Sequence, residues 1–225
     1  MAIFHDMLQG SDEWFAARLG IPTASEFSRI ITGAKGDLSK QAGGYAHALV
    51  AETLLGRPLE KGGGSSWAME RGKALEPFAV EQYSLDHGVE VRRVGFATTD
   101  DGRLGASPDG LIVGNRGGLE IKCTLDDKHM GILLDGPGDD YRQQVQGSLA
   151  ICELEWWDLY AYHPNLPPVA IRTYRDEPYI AKMRVALVAF LDIRDEMLAR
   201  AHQAGWHARP SVPLPATFGA LRAAA

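Results

Sequence analysis

Residues 105–123, GASPDGLIVGNRGGLEIKC, constrain the fold most, because they have the pattern of a β-hairpin with charged side chains on one face. The turn residues NRGG predict that GLIV folds back against GLEIKC as an antiparallel pair of strands. Strict alternation within LEIKC places Glu120 and Lys122 on the face opposite the apolar side chains. The hairpin therefore predicts that Asp109 lies close to Glu120 and Lys122.

Two carboxylates and an ammonium at this point favour a hydrolytic metal site. Neighbouring carboxylates repel each other unless a cation lies between them, and Mg²⁺ accepts one or two carboxylates, a carbonyl and water as ligands. Asp109, Glu120 and the main-chain carbonyl of Ile121 are the candidate ligands, and Lys122 would orient a water beside a phosphodiester. An Asp-Gly turn next to a solvated strand face would contain the same residues. The hairpin arrangement favours the metal site without deciding between the two interpretations.

The length and composition are those of one soluble globular domain over residues 1–225, with 45% apolar and 23% charged residues. No apolar run approaches the roughly 20 residues that a membrane span needs, and the N-terminus lacks the pattern of a signal peptide. We therefore expect a cytoplasmic protein. The net charge of −6 argues against an indiscriminate basic nucleic-acid coat protein. It leaves open a local DNA-binding groove, because a bulk charge does not report local patches.

The cysteines and histidines do not indicate another kind of metal site. Cys123 and Cys152 are too few for an iron–sulfur cluster or a four-thiolate zinc site. The seven histidines have no zinc-binding spacing, so no catalytic histidine is assigned, and His129 and His163 have no explanation at this level.

Apolar periodicity and turn residues predict a mixed α/β fold. Thr23 and Glu26 have a capping-box pattern, which predicts a helix that begins near Ser25. Further helices are predicted at 43–55, 68–87, 139–152 and 178–203. Strands are predicted at 89–99, 104–113, 117–124, 156–164 and 168–175.

Ordered blocks along the chain resemble one known family. SPDGL followed by LEIKC resembles the PD-(D/E)xK nuclease core, and the whole chain resembles the phage lambda exonuclease family of viral recombination nucleases. The matching blocks are WFAARLGIPTAS at 14–25, RGKALE at 71–76, GASPDGL at 105–111, LEIKC at 119–123 and YRQQVQ at 141–146. The resemblance implies a restriction-endonuclease-like α/β fold, in which a central mixed β-sheet is flanked by helices.

The resemblance also implies roles for residues around the hairpin. Asp109 and Glu120 are implied to bind the metal with the Ile121 carbonyl, and Lys122 to position the nucleophilic water. Glu76 matches a helical glutamate of the family, which implies a catalytic group near a second metal or its waters. The implied cofactor is Mg²⁺, with Mn²⁺ able to substitute.

A second group of residues is implied to bind the DNA end. Arg18 precedes the predicted helix start at Ser25, where free main-chain N–H groups and a hydroxyl would attract an anion. The resemblance implies that Arg18, Ser25, Ser107 and Gln144 hold the terminal 5′-phosphate of the strand being digested.

Other positions are implied to contact the duplex. Tyr141 matches the active-site helix, and Met69 matches an apolar side chain that wedges between the strands. The loop with Lys35 and Lys40 would steer the DNA end.

The resemblance implies a Mg²⁺-dependent exonuclease that digests the 5′-terminated strand of linear duplex DNA to mononucleotides and leaves a 3′ single strand. The implied assembly is a homotrimeric ring, and the implied partner is a phage single-strand annealing protein in the cytoplasm of a bacterial host. Two alternatives stay open: a PD-(D/E)xK endonuclease, and a non-catalytic scaffold that binds DNA ends for recombination. The presence of Asp109, Glu120 and Lys122 together disfavours the scaffold.

Overall fold

Two β-sheets form the framework of the fold in the computed structural model, which describes residues 1–33, 35–59, 67–139 and 141–207. The strands are β1 (Ile3–His5), β2 (Val91–Arg92), β3 (Phe96–Thr98), β4 (Gly105–Ala106), β5 (Gly110–Ile112), β6 (Gly117–Cys123), β7 (Trp156–His163) and β8 (Leu166–Tyr174). A three-stranded sheet has the order β1, β3, β4, and a five-stranded sheet has the order β2, β5, β6, β7, β8.

Helices cover both faces of the larger sheet. They are α1 (Asp12–Arg18), α2 (Ala42–Leu55), α3 (Trp67–His87), α4 (Asp126–Asp135), α5 (Arg142–Cys152) and α6 (Glu177–Gln203), with a short 3₁₀ helix at Ala24–Arg29. The main core joins α2, α5 and α6 to the 3₁₀ helix, and a second core packs Ala79 and Tyr83 of α3 against Leu119 and Ile121 of β6. The prediction of helices on both sides of a mixed sheet is therefore confirmed.

The central strand β6 explains why the sheet is mixed. It pairs antiparallel with β5, with Gly110 opposite Leu119, and parallel with β7, with Glu120 opposite Leu159. The hairpin that the sequence predicts is thus confirmed. Because Leu119 and Ile121 pack on α3, strand alternation turns Glu120 toward the other face of the sheet.

Two predicted strands are each divided between the sheets. The prediction at 89–99 becomes β2 in the larger sheet and β3 in the smaller one, and the prediction at 104–113 becomes β4 and β5. Pro108 lies at the second break, where it has no N–H to donate to a strand partner. Gly95 lies at the first break. A Cβ added there would be 2.1 Å from the carbonyl oxygen of Met7, so the backbone at this position approaches Met7 too closely for a side chain.

A helix begins next to Ser25 as predicted, at Ala24, but it lacks the predicted capping box. The segment is a six-residue 3₁₀ helix, and the Thr23 side chain makes no capping hydrogen bond to its backbone. Thr23 Oγ1 instead lies 3.3 Å from Arg18 Nη2 and 3.3 Å from Ser25 Oγ. A contact with the preceding helix therefore replaces the local cap.

The other helices follow their predictions with shifted ends. The helix predicted at 139–152 begins at Arg142, and α3 continues through Pro77 as one helix. Strand β1 and helices α1 and α4 were not predicted. The single domain over 1–225 stays a prediction, since 208–225 lies outside the described residues. No helix in the described ranges has the length and apolar character that a membrane crossing requires.

Candidate active site

Strand β6 and the residue before β5 bring Asp109, Glu120 and Lys122 together. Asp109 N donates to Leu119 O at 3.1 Å, and Asp109 Oδ2 accepts a hydrogen bond from Ile121 N at 2.6 Å. Lys122 Nζ donates to Glu120 Oε1 at 2.7 Å. The hydrogen bond from Asp109 N to Leu119 and the one that the Asp109 carboxylate accepts from Ile121 N thus hold Asp109 beside the face of β6 that carries Glu120 and Lys122.

Burial makes these charges interact strongly. Glu120 is only 5% exposed. Burial, followed by the negative charges of Glu120 and Glu76, raises the pKa of Asp109 well above its ordinary value. Burial lowers the pKa of Lys122, but the charge and hydrogen bond of Glu120 outweigh it, so the Lys122 pKa lies above its ordinary value. Lys122 is therefore an ammonium donor at neutral pH.

The carboxylates fit a divalent cation in number and type. A cation between Asp109 and Glu120 would relieve the repulsion that raises the Asp109 pKa. Within the described ranges, no three Asp, Glu, His or Cys side chains converge closely enough to hold a metal by themselves. Asp109, Glu120 and the Ile121 carbonyl would therefore need water ligands to complete the site, as Mg²⁺ commonly does.

Glu76 on α3 faces this site but is engaged by a guanidinium. Arg93, which follows β2, donates to Glu76 Oε1 and forms an ion pair with it. The Glu76 charge still contributes to the raised pKa of Asp109. Glu76 thus lies within electrostatic reach of the hairpin, while Arg93 competes for its carboxylate.

Gln144 of α5 and Tyr141, which directly precedes α5, both lie near the Lys122 ammonium. Gln144 Oε1 lies 3.5 Å from Lys122 Nζ, and the Lys122 ammonium lies 5.4 Å from the centroid of the Tyr141 ring. Lys128 Nζ lies at the same distance from that ring. The structure therefore brings Gln144 and Tyr141 to Lys122, and it adds Lys128, which the sequence analysis missed.

Arg18, Ser25 and Ser107 form a second cluster. Arg18 Nη1 donates to Ser107 Oγ at 2.6 Å and Nη2 donates to Thr23 Oγ1 at 3.3 Å, and Thr23 Oγ1 lies 3.3 Å from Ser25 Oγ. The Arg18 guanidinium stacks 4.2 Å from the Trp14 ring. Burial lowers the pKa of Arg18, with smaller opposing effects from nearby acidic groups. In the described chain, Arg18 has no carboxylate within 4.0 Å.

The local basis predicted for this cluster needs correction. Arg18 ends α1 instead of preceding an α-helix, and the six-residue 3₁₀ helix with Ser25 provides no long run of free N–H groups. The candidate anion site therefore consists of side chains: a guanidinium and hydroxyls. Gln144, predicted for the same phosphate, makes its hydrogen-bond contact with Lys122.

Met69 and Lys35 are the residues predicted to contact the duplex and to steer its end. Met69 is in the first turn of α3 and is half exposed, and Lys35 is exposed in the loop before α2. Residue 34 and residues 60–66, beside these two positions, lie outside the described residues. Their predicted contacts with DNA stay predictions.

The two unexplained histidines have partners that anchor α4. His129 is fully buried, with Nδ1 2.9 Å from Thr124 Oγ1 and Nε2 2.8 Å from Pro167 O. His163 Nε2 lies 3.0 Å from Asp126 Oδ1. These contacts tie the segment after Lys122 to β7 and β8, which is a structural role.

The residues that sequence reasoning missed are Thr23, Arg93 and Lys128. Thr23 stood in the block 14–25 but was interpreted as a helix cap. Arg93 and Lys128 stand outside the matching blocks, and their contacts depend on the folded arrangement of α3, β2 and α4.

A mixed sheet flanked by helices, with Asp109, Glu120 and Lys122 on one hairpin, defines the class of PD-(D/E)xK nucleases. Residues 13–155 match the YqaJ-like viral recombinase domain, and the chain belongs to this family. The predicted resemblance to exonucleases of viral recombination and the predicted fold class are confirmed.

Solved structures support this assignment. The chain is 31% identical to the alkaline exonuclease LHK-Exo from Laribacter hongkongensis over 87% of this chain and 98% of that chain, with a TM-score of 0.75. LHK-Exo in complex with dAMP gives 33% identity over the same shares and a TM-score of 0.76. A phage related exonuclease from Haemophilus somnus 129PT shares the fold, with 14% identity over 80% of this chain and 96% of that chain and a TM-score of 0.65. Comparison with curated protein sequences gives no match.

Proposed function

We propose that this protein is a Mg²⁺-dependent 5′-to-3′ exonuclease that enters linear duplex DNA at an end and releases mononucleotides. The digested strand is the 5′-terminated one, and the product is a 3′ single strand for recombination by annealing. The observation that carries the proposal is the buried arrangement of Asp109, Glu120 and Lys122 on one hairpin, in a chain of the viral recombinase family.

The hairpin residues divide the hydrolytic work. Asp109, Glu120 and the Ile121 carbonyl would hold the cation, which supplies charge stabilisation at the phosphate and a more acidic water. Lys122, charged because Glu120 raises its pKa, orients the attacking water and donates to developing negative charge. Glu76 would hold further water near the site, in competition with its ion pair to Arg93. Mn²⁺ would replace Mg²⁺, because its ligand preferences are similar.

The Arg18 cluster supports the proposed polarity. Ser107 accepts a hydrogen bond from Arg18, and Asp109 accepts one from Ile121 N. Along the chain, Ser107 and Asp109 are separated only by Pro108. Two residues of extended chain span at most about 7 Å. A terminal phosphate held by Arg18, Ser25 and Ser107 would therefore lie beside the scissile bond, and cleavage there releases a mononucleotide. The relative LHK-Exo forms a complex with dAMP, which is a mononucleotide.

Labelled linear duplexes test this function directly. With Mg²⁺, we expect labelled mononucleotide only from the 5′-labelled strand, while release from a 3′ label first would overturn the polarity. Cleavage of closed circular duplex would favour an endonuclease. End binding without product release, unchanged in Asp109→Ala, would favour a non-catalytic scaffold.

We further propose that the chain, a single nuclease domain over 1–225, works as a homotrimeric ring with a phage single-strand annealing protein in the cytoplasm of a bacterial host. Membership of a viral recombinase family supports a role in recombination, and a ring would retain the duplex between cleavage steps. Light scattering that reports a monomer with and without DNA would contradict the ring.

A further inference from the structure

Gln9, which lies before α1, contacts two loops: the one between β4 and β5 that leads into Asp109, and the one between β2 and β3 that contains Arg93. The side-chain amide of Gln9 donates to Val94 O at 2.9 Å and to Pro108 O at 2.8 Å. Pro108 directly precedes Asp109, and Val94 directly follows Arg93. One amide thus uses both of its hydrogens to join the two loops beside the predicted metal site.

Trp14, in α1, makes a second connection between the same two loops, to the residue after Val94 and to the residue before Pro108. Its Nε1 lies 2.9 Å from Gly95 O and 3.2 Å from Ser107 Oγ, so the indole N–H is shared between them. The same ring lies under the Arg18 guanidinium. Trp14 therefore contacts Ser107 and Arg18, the two ends of the shortest hydrogen bond in the predicted phosphate cluster.

These contacts occur where the backbone leaves the sheets. Residues 107–109 connect β4 in one sheet to β5 in the other, so they have no continuous strand partner. Pro108 also lacks an N–H. The side chains of Gln9 and Trp14 supply hydrogen bonds that a strand would otherwise make. They fix the direction of the chain between Ser107 and Asp109.

We propose that Gln9 and Trp14, which we name the N-terminal brace, are positioning residues that set the separation between the 5′-phosphate pocket and the metal carboxylate Asp109. The proposal rests on the proposed function of those two sites. The amide of Gln9 fixes the Pro108 carbonyl and thereby the approach of Asp109 to Ile121. The indole N–H of Trp14 fixes the Ser107 hydroxyl that faces Arg18.

Gln9→Met tests the metal side of the brace, because it keeps an unbranched side chain and removes both donors. We expect Mn²⁺ affinity, measured by calorimetry without DNA, to fall about tenfold, as for loss of other outer contacts to metal ligands. The turnover number should fall with it while KM for DNA stays within twofold of wild type. Gln203→Met, at the exposed end of α6, is the matched control and should leave both quantities unchanged.

Trp14→Phe tests the phosphate side, because it keeps a ring under Arg18 and removes the N–H. The ratio of rates on 5′-phosphate and 5′-hydroxyl duplexes should fall about fivefold, which corresponds to one lost hydrogen bond. Mn²⁺ affinity should stay at the wild-type value. Trp206→Phe, at an exposed position, is the matched control.

Asp109→Ala and Arg18→Ala separate failure of the brace from failure of the proposed sites. If Asp109→Ala binds Mn²⁺ like wild type, the metal site itself is wrong. If Asp109→Ala loses Mn²⁺ but folded Gln9→Met binds it normally, the brace is overturned at Gln9. If Arg18→Ala loses end preference but Trp14→Phe keeps it, the brace is overturned at Trp14. Should Gln9→Met unfold at the assay temperature, Gln9→Asn, too short to reach both carbonyls, replaces it with the same expected direction and the same refuting result.

Discussion

The Lys122 ammonium donates to Glu120 Oε1 at 2.7 Å, so this buried carboxylate has a cationic partner on its own strand. Asp109 differs, because its hydrogen-bond donor is the neutral Ile121 N–H and no ammonium or guanidinium in the described chain lies within 4.0 Å of it. Burial, followed by the negative charges of Glu120 and Glu76, therefore raises the pKa of Asp109. Loss of the Asp109 charge should therefore relieve an unfavourable interaction in the metal-free protein.

Asp109→Asn should stabilise the protein in EDTA while abolishing cleavage. The folded-state pKa of Asp109 lies above the unfolded value of about 3.9. Ionising Asp109 therefore costs folding stability, and the loss grows as pH rises from the unfolded pKa through the folded one. Asn keeps an oxygen that accepts from Ile121 N and carries no charge. Thermal unfolding in EDTA across this pH range measures the expected gain.

Asp101→Asn is the matched control, because the Thr99 hydroxyl lowers the pKa of Asp101. A lowered pKa contributes stability above the unfolded value, so this variant should not gain stability as pH rises. Equal pH dependence of Asp109→Asn and wild type would contradict the electrostatic account of the site.

Lys122→Met should reduce both activity and stability. Cleavage should fall by about 100-fold or more, because a preorganised donor to developing charge is lost. In EDTA the free energy of unfolding should fall by about 1–3 kcal/mol, since Glu120 stays buried without its donor. Single-turnover cleavage and denaturant unfolding measure the two effects.

Lys128→Met is the control for Lys122→Met, because Lys128 approaches the same Tyr141 ring from an exposed position and makes no hydrogen bond to Glu120. It should retain the stability of wild type. Near-normal cleavage by folded Lys122→Met would remove Lys122 from the proposed chemistry.

Local patterns explain which parts of the fold could be predicted. The β5–β6 hairpin depends on alternation and a short turn, both visible within 19 residues of sequence, and it is confirmed. The capping box predicted at Thr23 was wrong, because Thr23 Oγ1 contacts Arg18 instead of the backbone of its own helix. Gln9 was not predicted, because its two acceptors lie 85 and 99 residues away in the chain.

In the candidate site too, the contacts within one hairpin could be predicted from the sequence and the contacts between distant segments could not. Asp109, Glu120 and Lys122 meet because one hairpin carries all of them. Arg93 could not be assigned from sequence, because its pairing with Glu76 requires α3 to pack against the larger sheet. The catalytic roles of Asp109, Glu120 and Lys122 stay predictions that the experiments address.

Arg93→Gln should strengthen cation binding. Its ion pair with Glu76 competes with any cation that Glu76 helps to hold, so loss of the guanidinium frees the carboxylate. The half-saturating Mn²⁺ concentration should fall by up to about fivefold, because a partly exposed ion pair is worth about 0.2–1 kcal/mol. Arg92→Gln removes the same charge from the preceding residue and should have a smaller effect. Unchanged Mn²⁺ affinity in Arg93→Gln would show that Glu76 is not part of the metal site.

Arg18→Ala should weaken recognition of 5′-phosphate ends without stopping hydrolysis. Each cut creates a new 5′-phosphate, and attraction of that dianion to Arg18 would draw the duplex forward by one nucleotide without a nucleotide triphosphate. Loss of a charged hydrogen bond of about 1.5–3 kcal/mol should reduce the preference for 5′-phosphate over 5′-hydroxyl ends by about 10- to 100-fold. Processive runs should shorten in parallel.

The comparison uses matched 5′-phosphate and 5′-hydroxyl duplexes with a DNA trap that prevents rebinding. Arg200→Ala removes an exposed guanidinium from α6 and should keep the wild-type preference and run length. Arg18→Lys is the sharper variant, because a single ammonium cannot donate to Ser107 and Thr23 in the forked geometry of the guanidinium. It should retain the electrostatic attraction and lose part of the end preference. If Arg18→Ala keeps both the end preference and the run length, the phosphate pocket is not what moves the enzyme along DNA.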